Sequence, residues 1–296
     1  MKLNEIQLAR LLDNARALVE EGKRLHAMQV YNRLIATEPL FLLPYFELAA
    51  LYAELGKEHA SISILQQAQE LFPENIEVTY HLGGYHLRIE EYEKALTLYK
   101  KLVGKKLPQV HFNMGVAYYF KNNFKLAEEQ FRLTFKYDPQ YPKINESLGE
   151  LLLKRQAYTQ AIDYLKRGIE KNPYSAVNHH LLGAAYGKID DWKKAQKEFE
   201  LAVDMDPEQA ANWQMCGESL IHLKRLAEAE PYLHKALELS PKSVETLVNL
   251  SQVLSAKGEM ERAIEYIKKA LNVDPKNQQA RSMQWKLQRS KIKVIK

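Results

Sequence analysis

The stretch Asn178–Pro207, NHHLLGAAYGKIDDWKKAQKEFELAVDMDP, decides the fold. It divides into two amphipathic helical segments broken at Asp190-Asp191, residues that suit a turn, and it closes on Pro207, which a helix interior rejects. Working outward, Pro139, Pro173, Pro207, Pro241 and Pro275 stand 34 residues apart, and Pro39 and Pro73 keep the same interval. Between Pro73 and Pro139 lie 66 residues, so one unit is two residues short, around Val103 to Pro108.

Alignment on the prolines exposes further columns. Twelve residues earlier stand Ala27, Ala127, Ala161, Ala195, Ala229 and Ala263, with Ser61 as the exception. Eight residues earlier the column is bulky: Tyr31, Leu65, Phe131, Leu165, Phe199, Leu233 and Ile267. A third column is small: Ala15, Ala49, Gly83, Gly115, Gly149, Gly183, Gly217 and Ser251. Periodic small residues let helices approach closely. Each unit thus offers two helices whose apolar faces exceed what the pair can bury alone, so neighbours must stack. Gly22, Gly56 and Gly258, with Asn122-Asn123 and Asp190-Asp191, mark the turn inside a unit. In the third unit Gly104-Lys105-Lys106 replaces the proline ending, which predicts a tight or kinked junction.

With Leu182-Gly183, Tyr186, Ala195, Phe199, Ala202 and Pro207, the quoted unit resembles the tetratricopeptide repeat. The resemblance implies an all-α fold, a right-handed superhelical solenoid of eight helix-turn-helix repeats. Their register is 8–41, 42–75, 76–107, 108–141, 142–175, 176–209, 210–243 and 244–277, and 278–296 forms a capping helix and basic tail carrying Met283, Trp285 and Leu287.

Composition narrows the class. Only 12 Gly and 11 Pro leave little room for the turns of an all-β chain. The first twenty residues carry Glu5, Arg10, Asp13 and Arg16, so no signal peptide or transmembrane segment is expected there, and a cytoplasmic protein is. The lone Cys216 forms no internal disulfide and is expected to be a small core residue. Residues 277–296 hold six cations and no acid; the rest holds 36 cations against 37 acids, a nearly neutral body that argues against a nucleic-acid groove along its length.

The sequence gives no sign of catalysis, a metal or a cofactor. Gly83-Gly84 and Gly22-Lys23-Arg24 lack the spacing of a phosphate loop. The adjacent His179 and His180 point about 100° apart on a helix and cannot share one metal. Asn145-Glu146-Ser147 and Asn249-Leu250-Ser251 match the glycosylation sequon but fall inside expected helices. Glu90-Glu91 and Glu128-Glu129 are expected on solvated helix surfaces.

Family geometry implies that the second, fifth, ninth, twelfth and thirteenth residues of each unit face a groove. In units two to four these are Leu43, Phe46, Tyr80, Leu87, Arg88, Phe112, Val116, Tyr119 and Phe120. Beyond them come Lys143, Glu146, Glu150, Lys154, His180, Lys188, Gln214, Glu218, His222 and Gln252, a more polar set. The groove is therefore two-toned. The expected binding residues are Phe46, Tyr80, Leu87, Arg88, Phe112, Asn113, Tyr119, Phe120, Lys154 and Lys188. Exposed aromatics cost solubility unless a partner covers them; the alternative is that they pack between adjacent first helices.

Chaperone-binding relatives use a Lys and Asn clamp, of which only Asn113 and Asn249 are present, so chaperone tails are not expected ligands. An asparagine ladder is likewise interrupted by Glu47, His81, Ser147, Leu181 and Met215. The expected function is a non-enzymatic scaffold for a protein or peptide partner, with self-association as the rival. The basic tail suits a solvated helix end, an acidic partner, or a weak nucleic-acid or membrane contact. The alternation over Lys291–Lys296 also suits a strand added to a partner.

Overall fold

A computed structural model describes residues 4–294, with side chains at residue 4 and residues 6–289. Among them stand 17 α-helices, one 3-10 turn and no strand. Packing divides the chain into two bodies, residues 1–144 and 145–296. The first body comprises the hairpins α1 (Glu5–Glu20) with α2 (Arg24–Thr37), α3 (Leu43–Glu54) with α4 (Glu58–Leu71), α5 (Ile76–Arg88) with α6 (Tyr92–Lys100), and α7 (Pro108–Phe120) with α8 (Phe124–Tyr137). In the second body α9 (Ile144–Lys154) precedes α10 (Tyr158–Lys171), followed by α11 (Ala176–Lys188) with α12 (Trp192–Met205), α13 (Ala210–His222) with α14 (Leu226–Leu239), and α15 (Val244–Ala256) with α16 (Met260–Val273). A last helix, α17 (Gln278–Val294), packs on α15 and α16 through buried Ala280 and Leu287.

The small column meets the bulky one inside each hairpin, sixteen residues on. A Cβ on Gly115 would stand 2.5 Å from the Phe131 ring, and one on Gly183 2.8 Å from Phe199. Glycine is the residue that lets the first helix close on these large side chains. Two serines break the pattern and compensate in mirror fashion. The Ser61 hydroxyl donates to the Ala49 carbonyl at 2.7 Å, and the Ser251 hydroxyl donates to the Ala263 carbonyl at 2.9 Å. Both hydroxyls are buried and satisfied across the same helix contact. Cys216 is fully buried in the core, and that burial pushes its thiol pKa up.

Helix ends follow from the prolines and turns. The residue before the proline leaves the α region at Glu38 (φ −133), Asp206 (φ −138) and Asp274 (φ −132), because the proline ring disfavours α backbone there. Positive φ occurs at Gly22, Gly56, Gly258, Asn122 and Asp190, as the sequence predicts. It occurs also at Glu90, Gln156 and Lys224, where no such residue marks the turn. There too the following amide closes the helix, with Glu91 N–H donating to the His86 carbonyl at 2.9 Å and Arg225 N–H to the Leu220 carbonyl at 2.9 Å.

At the short third unit, α6 stops at Lys100, a 3-10 turn spans Val103–Lys105, and Lys106 is left-handed (φ 54). Pro108 then becomes the first residue of α7, so the expected tight junction is present.

Two expectations need correction. Glu90 and Glu91 lie in a turn rather than on a helix surface, and Glu91 accepts a bond from the buried His86 imidazole at 2.6 Å. Glu128 is not simply solvated but pairs with Arg132 at 2.7 Å, with its side chain only 12% exposed. The backbone is helical through Val294, where the alternation over Lys291–Lys296 suits a strand. The side chains of Lys291, Lys293 and Lys296 lie outside the described residues. No helix among the described residues is long and apolar enough to cross a membrane.

Candidate functional site

The start of several first helices is pinned by one recurring bond. Six residues past a proline, a side chain donates to that proline's carbonyl: the Tyr45 hydroxyl to Pro39 at 3.1 Å and Trp213 Nε1 to Pro207 at 2.7 Å. His179 Nε2 does the same to Pro173 at 3.1 Å and Arg281 Nε to Pro275 at 2.8 Å. The anchor occupies the fourth place of the unit, so the fifth is carried on a fixed helix start and points away from it. In the unit that follows the short one no proline stands six residues before His111; its Nδ1 meets Gln130 Oε1 at 2.8 Å.

In units two to four, within the first body, the fifth place is held by Phe46, Tyr80 and Phe112 on α3, α5 and α7, each half-buried. The Phe46 ring lies 5.2 Å from His81, and His81 lies 5.4 Å from Tyr80. Phe112 packs against Phe131 at 5.5 Å and Tyr141 at 5.0 Å. Asn113 ties the two parts together: its amide donates to the Tyr99 hydroxyl at 3.0 Å and reaches the Tyr80 hydroxyl at 3.5 Å. Burial raises the pKa of Tyr80, Tyr99 and Tyr141, which keeps these phenols protonated. It lowers that of His81, which favours the neutral ring.

The remaining candidates of this body are placed differently. Leu87 packs beside Tyr80 in the core cluster below. Arg88 turns to Glu58, bonded at 3.0 Å, and lies over the Tyr85 ring. Tyr119 and Phe120 form a second aromatic group at the end of α7, where Phe120 is 58% exposed and stacks on Tyr92 with ring centroids 5.8 Å apart. The sequence reading missed His81, Tyr99 and Tyr141 as members of the wall. Tyr141 stands just past Pro139, between the columns used for alignment.

In the second body the fifth place becomes Glu146, His180 and Gln214, and in the last unit the buried Val248. His180 Nδ1 is 2.8 Å from Asn212 Oδ1, and burial lowers its pKa despite that bond. His222 stacks flat on Trp192 at 3.6 Å. An open cleft of about 510 Å³ lies among α13, α15 and α17 and is lined by Glu218, His222, Glu245, Asn249, Gln252 and Lys286 over Val248 and Met283. Lys154 and Lys188 stand exposed at the ends of α9 and α11, where a cation complements the helix dipole.

Stacked helical hairpins with an aromatic wall and a polar cleft define a helical-repeat protein. Tetratricopeptide repeat models match residues 46–110, 112–176, 180–244 and 220–287, and the chain belongs to that family. It is 26% identical over 159 residues to the TPR repeat-containing protein YpiA of Bacillus subtilis, covering 52% of this chain and 38% of that one. It is 24% identical over 179 residues to the BBSome complex member BBS4 of Bos taurus, covering 60% and 34%. The chain thus spans little more than a third of either relative. Among solved structures, the APC/C hetero-tetramer Cut9-Hcn1 superposes with a TM-score of 0.64 at 17% identity, covering 96% of this chain and 57% of that one, a likeness of fold. Tetratricopeptide repeat proteins generally mediate protein–protein interactions and scaffold assembly.

Proposed function

We propose that this chain is a non-enzymatic cytoplasmic scaffold that holds a segment of a partner protein on the face built by its first helices. Its hairpins serve as repeats in the register 8–41 through 244–277, and α17 caps the last. The observation that carries this reading is the aromatic wall Phe46, Tyr80 and Phe112, held partly exposed by helices whose cores are already filled. Apolar surface of this kind gains free energy when a partner covers it. Leu87, Arg88, Asn113, Tyr119 and Phe120 flank or support the contact, and Lys154 and Lys188 are the candidate contact residues of the second body. BBS4 is by name a member of a complex, which agrees with a role in assembly.

The test is a native-extract pull-down read by mass spectrometry, comparing the wild type with the triple variant Phe46→Ala, Tyr80→Ala, Phe112→Ala. The reading predicts a partner captured by the wild type and lost from the variant. Equal capture by both contradicts it, and recovery of the chain alone, with mass rising with concentration, favours self-assembly.

A further inference from the structure

We infer that the aromatic wall of the first body takes an extended, proline-rich, uncharged segment; this rests on the docking role proposed above and adds the chemistry of the ligand. Asn113 uses its amide donors on the Tyr99 and Tyr80 oxygens. Those oxygens act as acceptors inside the wall, so each phenol has its O–H left to donate. Tyr99 is fully buried, whereas Tyr80 and Tyr141 are partly exposed, so the wall offers O–H donors set among π faces. Its natural complement carries acceptors and apolar rings and brings few donors of its own. A polyproline II segment fits: prolines lack N–H, their carbonyls have no internal partner, and their rings pack on aromatic side chains.

Spacing and charge point the same way. Phe46, His81 and Tyr80 follow one another at 5.2 and 5.4 Å. Each step is about 1 Å shorter than the advance of two residues of polyproline II, about 6.2 Å at about 3.1 Å per residue, so rings of alternate residues can reach successive side chains. Arg16 is paired with Glu47 and Arg88 with Glu58, so neither cation is left to recruit an acidic ligand. Two carboxylates stand near the wall. Glu77 is in the first turn of α5, where the helix dipole favours it, and Asp138 accepts the Gln140 N–H at 2.8 Å. Both disfavour an acidic segment.

The test uses fluorescein-labelled decaproline, titrated with the full chain and followed by anisotropy, with a Gly-Ser decamer and a Gly-Lys decamer as comparison probes. Saturable binding of decaproline, tighter than of either other probe, is expected. The pair Tyr80→Phe and Tyr141→Phe keeps both rings and removes the O–H donors, together with the Tyr80 oxygen that Asn113 reaches at 3.5 Å, and it should weaken decaproline binding on the order of fivefold or more while the melting curve stays two-state. Phe112→Ala should weaken it further. Absent decaproline binding, a preference for either comparison probe, or undiminished affinity in the Tyr→Phe pair overturns the inference. If the triple alanine variant loses its partner while decaproline fails to bind, docking stands and the proline preference falls. If the partner is retained, both fall.

Discussion

The two bodies carry the same columns inside and different ones outside. Gly115 against Phe131 in the first and Gly183 against Phe199 in the second make the same closure, sixteen residues apart. The fifth place of the unit, one residue past the anchoring position, holds Phe46, Tyr80 and Phe112 in units two to four of the first body but Glu146, His180 and Gln214 in units five to seven of the second, while the end units carry the buried Leu12 and Val248 there. Packing within a hairpin fixes the inner columns, because each methylene there is felt by a neighbour. The outward column escapes that constraint, so its chemistry is free to encode what is bound.

Several substitutions would break or sharpen this contrast. The largest effect is expected at the shared inner column. Gly115→Ala in the first body and Gly183→Ala in the second should each lower stability by about 1–3 kcal/mol by denaturant unfolding, because the new methyl meets a ring. A large loss in one body alone would show that the inner columns are not equivalent. Next comes Asn113→Ala, which leaves the buried Tyr99 hydroxyl without its donor and should cost about 1–3 kcal/mol. The sixth-place counterpart in the second body, Asn249→Ala, lies on a half-buried polar surface and should cost less than about 1 kcal/mol. Equal losses would mean that the first-body wall is no more interlocked than the polar one.

Trp213→Phe keeps the ring and removes the bond to the Pro207 carbonyl, so thermal unfolding should show a loss of about 1 kcal/mol. At the turns the sign reverses. Lys224→Gly relieves a left-handed backbone (φ 63) and should stabilise by up to about 1 kcal/mol.

The smallest effect is pH dependence at His180, whose folded pKa is lowered by burial. Below about pH 6.5, the ordinary histidine value, the unfolded chain binds the proton more readily, so stability should fall as pH drops toward the lower folded value. Comparing His180→Gln with the wild type across that window should show a flatter profile in the variant.

Much of the fold was legible because its determinants are single residues at a fixed period: the prolines, the small column and the bulky column. The anchoring bonds were not, because tyrosine, histidine, tryptophan and arginine perform one task and share no side-chain class. What they share is a donor at a set distance from a proline carbonyl. The turns at Glu90, Gln156 and Lys224 were hidden for a related reason, since Schellman closure imposes a left-handed residue whatever its identity. At the candidate site, the aromatic run stood out in sequence. The Phe46–His81 ring contact did not, because it joins residues from different units, and the Phe112–Tyr141 contact did not, because Tyr141 lies between the aligned columns.

The central claim is that the aromatic wall, rather than the polar column, carries the docking energy. It is tested by titration calorimetry of the captured partner segment against two variants, Phe46→Ala with Tyr80→Ala and Phe112→Ala, and Glu146→Ala with His180→Ala and Gln214→Ala. The account predicts a loss on the order of tenfold or more for the aromatic set and about threefold or less for the polar set. A larger loss in the polar set, with both variants folded, would contradict it.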